Sequence, residues 1–548
     1  MGKNWWRAET GIFFALWFVF LQLGSVQFLT DPGPYWSTVI GRRILAEGRV
    51  PSAEDFSCTL RGQPWNSHQW LTQCAFALLD RLGGLDGLVL GAATLLAVLF
   101  TWVAHRLLRA GLHWLPTALI LMLTILASRY HLLARPHLTT IALLGWTVGR
   151  LTDFESARIS WRGLLWLLPA FVLWTNLHGG ALGGLSSVAL VVFGWLVGYA
   201  ATRKFGWGLN SPLQDNRQAL GILAILIACL LATLVNPYGW ELPLDWVRLM
   251  GSPVIAGYIN EHQPLDWLNP FQLPIVFFGL VYLWVLLNLH SWRQLRISWL
   301  LPLVWFVLSV QRVRHCTLFA ISAAVVLADV LPHTRAAAAL ARLPSWLFQP
   351  PTEPTDAPRR SWGRTVQPYV LPAIAVVLAF VSQSMHWPVP LVGRGLAVQD
   401  HNLAPLDMRA PLEQYGHPGQ PIFNDLAYGG FLIYYTPLSV FLDDRCELYG
   451  DDFLKDYFES NREYHRYFYD TEAKQPRPVT AAGIAQLPDH IARWEQQYGT
   501  QLDLALVMKD SGFWYYLAHS PDKWKKLAET QRKNFRHQAV LYQRVNRQ

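Results

Sequence analysis

GIFFALWFVFLQLGSVQFL (residues 11–29), followed at once by DPGPYWSTVIGRRILAEGRVP (31–51), decides the fold. About twenty apolar residues cross the hydrocarbon core of a bilayer, so the first run reads as a membrane span with Asp31 standing where the chain leaves it. Runs of the same kind recur as far as Ser384, near 11–29, 85–104, 114–130, 138–150, 163–176, 180–200, 218–235, 271–289, 297–311, 315–331 and 366–384. Together they predict about eleven crossings. From His386 onward charges return at ordinary density and the apolar runs shorten. The expected fold class is therefore a polytopic α-helical membrane protein, with a transmembrane domain over 1–385 and a soluble α/β domain over 386–548.

Composition agrees. Of 548 residues, 52% are hydrophobic, 14% aromatic and only 15% charged, which is not the balance of a soluble enzyme. A net charge of +8 would suggest nucleic acid for a soluble chain, but many arginines here lie in short loops between spans. Topology accounts for them, and no nucleic-acid partner is expected.

Lys3 and Arg7 precede the first run, and no small-residue cleavage site follows it, so that run reads as a retained helix with a cytoplasmic start. Alternate loops then carry Arg106 and Arg109; Arg158 and Arg162; Arg203, Lys204 and Arg217; Arg293 and Arg296; and Arg335, Arg342, Arg359, Arg360 and Arg364. An odd number of crossings puts the C-terminal domain outside, in a bacterium the periplasm, and the whole chain in the inner membrane. HQWLTQCAFALLDRLGG (68–84) is too short and too charged to span, so it joins the first outer loop, 31–84, as an interfacial helix. Cys58 and Cys74 could pair in that loop, whereas Cys229 and Cys316 read as membrane packing and Cys446 is alone.

This topology places the polar words at the span ends on one face: Asp31, SHQW (67–70), SRYHLLARPH (128–137), NLHGG (176–180), NPYGWE (236–241), INEH (259–262) and QRVRH (311–315). Ionisable groups at membrane depth are costly unless paired or hydrated, so their gathering points to a polar cavity. Arg129, Arg135, Arg312, Arg314 and His315 lie in outer turns, where topology least favours positive charge. Guanidinium forks match phosphate oxygens, and a lipid phosphate suits a pocket open to the bilayer. The alternative is that these arginines pair with Asp31, Glu241, Glu261 or lipid head groups. Asn176, His178 and the following glycines could approach a ligand closely, or cap a helix. His68 and Trp70 suit either sugar stacking or the head-group belt. No metal-ligand spacing, phosphate loop or serine-nucleophile motif stands out.

The order of these words resembles that of the GT-C superfamily, membrane glycosyltransferases that use polyprenyl-phosphate-linked sugars. The likeness lies in DPGPYWSTVIGRRILAEGRVPSAEDFS, GQPWNSHQWL, RPH, NLHGG, NPYG and RVRH, then in FNDLAYGGFLIYY, VFLDDRCELYG and VLYQRV. It implies that Asp31 takes the place of the first-loop carboxylate, as base or acceptor-orienting group. It also implies that Arg129, Arg135, Arg312, Arg314 and His315 serve the donor phosphate, with His68, Trp70, Asn176, His178 and Glu261 lining the sugar or acceptor site. Relatives often read D-P-D and H-E-W where this chain has Asp31-Pro32-Gly33 and His68-Gln69-Trp70. With two acidic groups missing, no metal or other cofactor is predicted, although a divalent ion is possible. Two rivals remain open: a transporter of an anionic lipid-linked glycan, and an inactive scaffold in a glycan-assembly complex.

In the outer domain PIFN (421–424), SVFLDD (439–444), LDLALVMK (502–509) and AVLYQRV (539–545) read as strands, and PDKWKKLAETQRKNF (521–535) as a helix, in a largely parallel sheet. LFQPPTEPTDAPRR (347–360) is a Pro-rich cytoplasmic loop.

Overall fold

Proline and glycine after the first apolar run stop one helix and start the next. The computed structural model describes residues 8–206, 210–335, 362–531 and 538–545. In it the helix Ala8–Gln27 is followed by a turn and the helix Gly33–Glu47. Pro34 occupies the first turn, where a missing N–H costs nothing. Gly48 ends that helix at φ 69°, its N–H on the Ile44 carbonyl at 2.9 Å. Lys3, Arg7, Arg342 and the Pro-rich loop 347–360 lie outside the described residues.

The chain divides into two compact units. One comprises Met1–Gly24, Asp86–Val247 and Ile259–Leu396; the other comprises Ser25–Leu85, Arg248–Tyr258 and Ala397–Gln548. The first loop therefore falls with the C-terminal residues.

Among the described residues four helices are long and apolar enough to cross a membrane: Ala8–Gln27, Leu85–Arg109, Ala181–Phe205 and Val313–His333. The other expected crossings coincide with helices that are shorter or less apolar, Trp114–Ser128, His137–Glu155, Leu167–Leu177, Asn216–Ala232, Leu273–Leu287, Leu301–Gln311 and Trp362–Ser384. In this unit several loop arginines hold buried carboxylates. Arg106 holds Asp153 with both terminal nitrogens at 3.0 Å. Asp329, sealed near the end of Val313–His333, takes Arg296 at 2.6 Å, Trp299 Nε1 at 2.8 Å, Ser156 at 2.8 Å and Arg158. Glu155 accepts from the backbone N–H groups of Ile297 and Ser298 at 2.8 and 2.9 Å. A buried carboxylate needs such partners, and these tie the segments 153–158 and 296–299 to Asp329 and Arg106.

The second unit is built on a five-stranded sheet, order β2-β1-β5-β7-β6, with β1 at Pro421–Asn424, β2 at Ser439–Val440, β5 at Leu504–Met508, β6 at Trp524–Glu529 and β7 at Ala539–Arg544. A separate two-stranded ribbon pairs β3, Tyr469–Asp470, with β4, Gln475–Pro476. The β1–β2 and β1–β5 pairings are parallel, whereas β5–β7 and β6–β7 are antiparallel. The sheet is thus mixed, not largely parallel. The expected helix at 521–535 is also corrected: 524–529 form edge strand β6. Its Lys, Leu and Ala favour a helix locally, but pairing with β7 overrides propensity, and exposed Lys525 and Lys526 suit a protected edge.

Residues of the first loop extend this sheet. Cys58 N–H bonds the Val440 carbonyl at 2.8 Å, and Val440 N–H bonds the Phe56 carbonyl at 3.0 Å. Behind them Arg445 is fully buried, 2.5 Å from Glu54 and 2.6 Å from Asp443, with its guanidinium 4.8 Å from the centre of the Trp65 ring. The helix Trp70–Gly83 packs on Gly33–Glu47, and Asp80 receives Arg42 and the Tyr434 hydroxyl at 2.7 Å each. Cys58 and Cys74 are both free thiols, so the pairing considered for them does not occur.

Candidate functional site

Asp31, His68 and Trp70 belong to the second unit; Arg129, Arg135, Asn176, His178, Glu261, Arg312, Arg314 and His315 belong to the first. Asp31, half-buried, accepts the Gly33 N–H at 2.9 Å through Oδ1, which orients the carboxylate at the start of Gly33–Glu47. The chain there is held from behind. Gly430 stands so close to Pro32 that a Cβ would meet its carbonyl, Tyr35 hydrogen-bonds His401 at 2.9 Å, and Trp36 donates to Asp444 at 2.7 Å. His68 and Trp70 are half-buried at the entry to Trp70–Gly83.

In the first unit, the turn Val313–His315 joins two apolar helices, and the short helical turn Asn260–His262 lies against it. Val313 N–H bonds the Gln263 carbonyl, and Leu265 N–H bonds the Val310 carbonyl, both at 3.0 Å. That pairing brings Glu261 and His262 to Arg314. Glu261 also takes Arg135 at 3.0 Å, from the loop before His137–Glu155, while Arg314 contacts His262 Nε2. One of the two readings of these arginines, pairing with Glu261, therefore holds for Arg135. Arg312 and Arg314 also bear electrostatically on this turn.

The charge balance sets the protonation states. Burial pushes the Glu261 carboxyl up, but Arg135 and Arg314 outweigh it and hold it below the usual range. Burial, followed by Arg314, pushes His262 down to about 4. Burial likewise takes His131 to about 3. Near pH 7 the site thus offers guanidiniums, one carboxylate and neutral imidazoles. His262 Nδ1 is buried with no hydrogen-bond partner.

Arg129 is exposed, with its guanidinium 4.6 Å from the Phe271 ring centre. His315 bonds the Leu308 carbonyl at 3.1 Å and lies beside Trp305. His178 Nδ1 accepts from Gly180 N–H at 3.0 Å and from the Thr140 hydroxyl at 2.9 Å, and Thr140 in turn accepts from Trp174 at 2.8 Å. The ring proton therefore sits on Nε2. The two glycines of NLHGG make room for side chains: a Cβ on Gly179 would stand 2.9 Å from Trp246 Nε1, and one on Gly180 would meet Thr140. Asn176 donates to the Val172 and Val235 carbonyls at 2.8 Å each, which ties its helix to the 233–240 turn.

His131, His137 and His262 were not among the residues singled out by sequence. His137 contacts the His131 carbonyl at 2.5 Å, and His131 meets Cys316 Sγ at 3.5 Å. The repeated histidine in RYHLLARPH and the histidine of INEH were the available signals. Among the described residues no group of three or more His, Cys, Asp or Glu is placed to hold a metal ion.

No protein-family model matches the chain, and no curated protein matches it. Among solved structures it is similar to ArnT from Cupriavidus metallidurans bound to undecaprenyl phosphate, at 16% identity and a TM-score of 0.44, over 97% of each chain. It is similar also to ArnT from the same organism in the apo state, at 16% identity and a TM-score of 0.43, over 97% of this chain and 96% of that one.

Proposed function

We propose that the chain is a GT-C-type glycosyltransferase of the bacterial inner membrane, moving a sugar from a polyprenyl-phosphate-linked donor to an acceptor at the periplasmic face. The observation that carries this reading is the Arg135–Glu261–His262–Arg314 network, with Arg312 beside it, at the ends of apolar helices. A cluster that brings Arg135 and Arg314 to one turn suits a phosphate at the bilayer surface.

In this mechanism an Asp31 carboxylate oxygen takes the proton of an acceptor hydroxyl as that oxygen bonds to the anomeric carbon. The bond between the anomeric carbon and the phosphate oxygen breaks, and its electron pair leaves on the polyprenyl phosphate. Arg135, Arg312 and Arg314 stabilise the charge that develops on the leaving group. His68, Trp70, Asn176 and His178 are proposed to shape the sugar and acceptor site, and Arg129 and His315 to flank the phosphate.

The test is release of polyprenyl phosphate from a panel of lipid-phosphate sugars, with periplasmic extract as acceptor source, by wild type and Asp31→Asn. Release that the substitution abolishes supports a transferase. No release by wild type, beside a working control enzyme, overturns it and directs attention to leaflet-to-leaflet movement of labelled lipid.

A further inference from the structure

We infer that His262 supplies a neutral N–H donor, through Nδ1, to a phosphate oxygen of the lipid-linked ligand; this rests on the lipid-phosphate reading above and names one of its recognition groups. A guanidinium has only donors, so the contact of Arg314 Nη1 with His262 Nε2 makes that nitrogen the acceptor and leaves the ring proton on Nδ1. Nδ1 is buried without a partner, in a residue only 5% exposed. Buried donors are nearly always satisfied, and this unsatisfied one lies across its ring from a guanidinium.

The surroundings choose that atom. An oxygen that reaches Nδ1 lies one imidazole ring away from Arg314, and Arg312 also bears on the ring. Glu261 Oε1 is 3.9 Å from Nε2, the opposite nitrogen. An anionic oxygen satisfies the orphan donor and meets the positive field of Arg314 together, which a neutral sugar hydroxyl does not. Burial keeps the ring neutral near pH 7, so the donor is present without any titration. Free phosphate shares this chemistry with a lipid phosphate, and the test separates the two.

The two amide isosteres of histidine distinguish its nitrogens. Glutamine sets an oxygen near the Nε2 position, keeping an acceptor for Arg314 and losing the Nδ1 donor. Asparagine keeps an N–H near Nδ1 and loses the acceptor. Full-length protein in detergent is titrated with farnesyl phosphate, with farnesol and with inorganic phosphate, and thermal unfolding is followed in parallel.

Expected is a loss of about tenfold in farnesyl phosphate affinity for His262→Gln, a clearly smaller loss for His262→Asn, and no effect of either on farnesol. The reverse pattern, Asn weak and Gln intact, overturns the inference by making His262 a support for Arg314. Equal losses in both variants, with lowered unfolding midpoints, overturn it in favour of a packing role. Wild type binding farnesyl phosphate no better than farnesol overturns the lipid-phosphate reading itself. A Gln/Asn split seen equally with inorganic phosphate keeps the donor but overturns its assignment to a lipid.

Discussion

Gly430 lies against Pro32, its α-carbon so near that an added Cβ would stand 2.9 Å from the Pro32 carbonyl carbon. Because the obstacle is backbone, no rotamer change relieves it. Gly430→Ala must displace the turn that carries Asp31, and overpacking of this kind costs about 1–3 kcal/mol. The variant is expected to fold, to melt lower, and to lose turnover in the polyprenyl-phosphate release assay with donor affinity unchanged. Unaltered turnover in a destabilised variant would mean that the position of Asp31 is not critical.

Asp425 predicts a pH dependence. Burial pushes its carboxyl up to about 6, against donors from Met508 N–H at 2.6 Å and the Tyr457 hydroxyl at 3.0 Å. The folded state then binds the proton more tightly than the unfolded one. Its contribution is present in full below about pH 4 and is lost as pH rises toward about 6, by on the order of 3 kcal/mol. Thermal unfolding from pH 4 to 7 should show this slope in wild type, and Asp425→Asn should flatten it whatever its own offset.

Arg445 bridges Glu54 and Asp443 with all three side chains sealed from solvent. Arg445→Leu leaves two buried carboxylates facing each other, and removing one partner of such a set costs roughly 3–5 kcal/mol. Limited proteolysis should then cut within 25–85 and 421–545 together. Cleavage of the loop alone would show that the network does not join them.

Glu261 offsets Arg135 and Arg314 in the proposed phosphate site. Glu261→Gln removes its charge and keeps its shape, so farnesyl phosphate should bind about tenfold more tightly at low salt, with slower turnover because the product is held. Added salt should erase most of that gain. Weaker binding instead would mean that Glu261 is needed to aim Arg135.

The sequence disclosed what depends on composition and periodicity: the apolar runs, the four short words that became β1, β2, β5 and β7, and the turns that bear Arg135, Glu261 and Arg314. It concealed what depends on distant pairing. Trp524–Glu529 reads as helix because nothing local announces β7 as its neighbour. The loop 31–84 reads as an appendage of the spans because its partners, Val440 and Arg445, lie far along the chain. The glycines of NLHGG looked like a ligand approach, and their contacts with Trp246 and Thr140 could not be inferred from one strand of text. His262 was hidden for another reason: its interest lies in an unsatisfied nitrogen, which only coordinates reveal.

The bond between Glu54 and Arg445 spans 391 residues, and that separation is also a delay. At synthesis rates of about 5–20 residues per second, the first loop waits roughly 20–80 s after it emerges before its guanidinium exists. Throughout that interval Trp36, Trp65 and Glu54 have no core to enter. A nascent chain of this protein therefore carries an unfinished unit while all the intervening helices are made, and it is the stage of its life most exposed to proteases and most dependent on a holding chaperone.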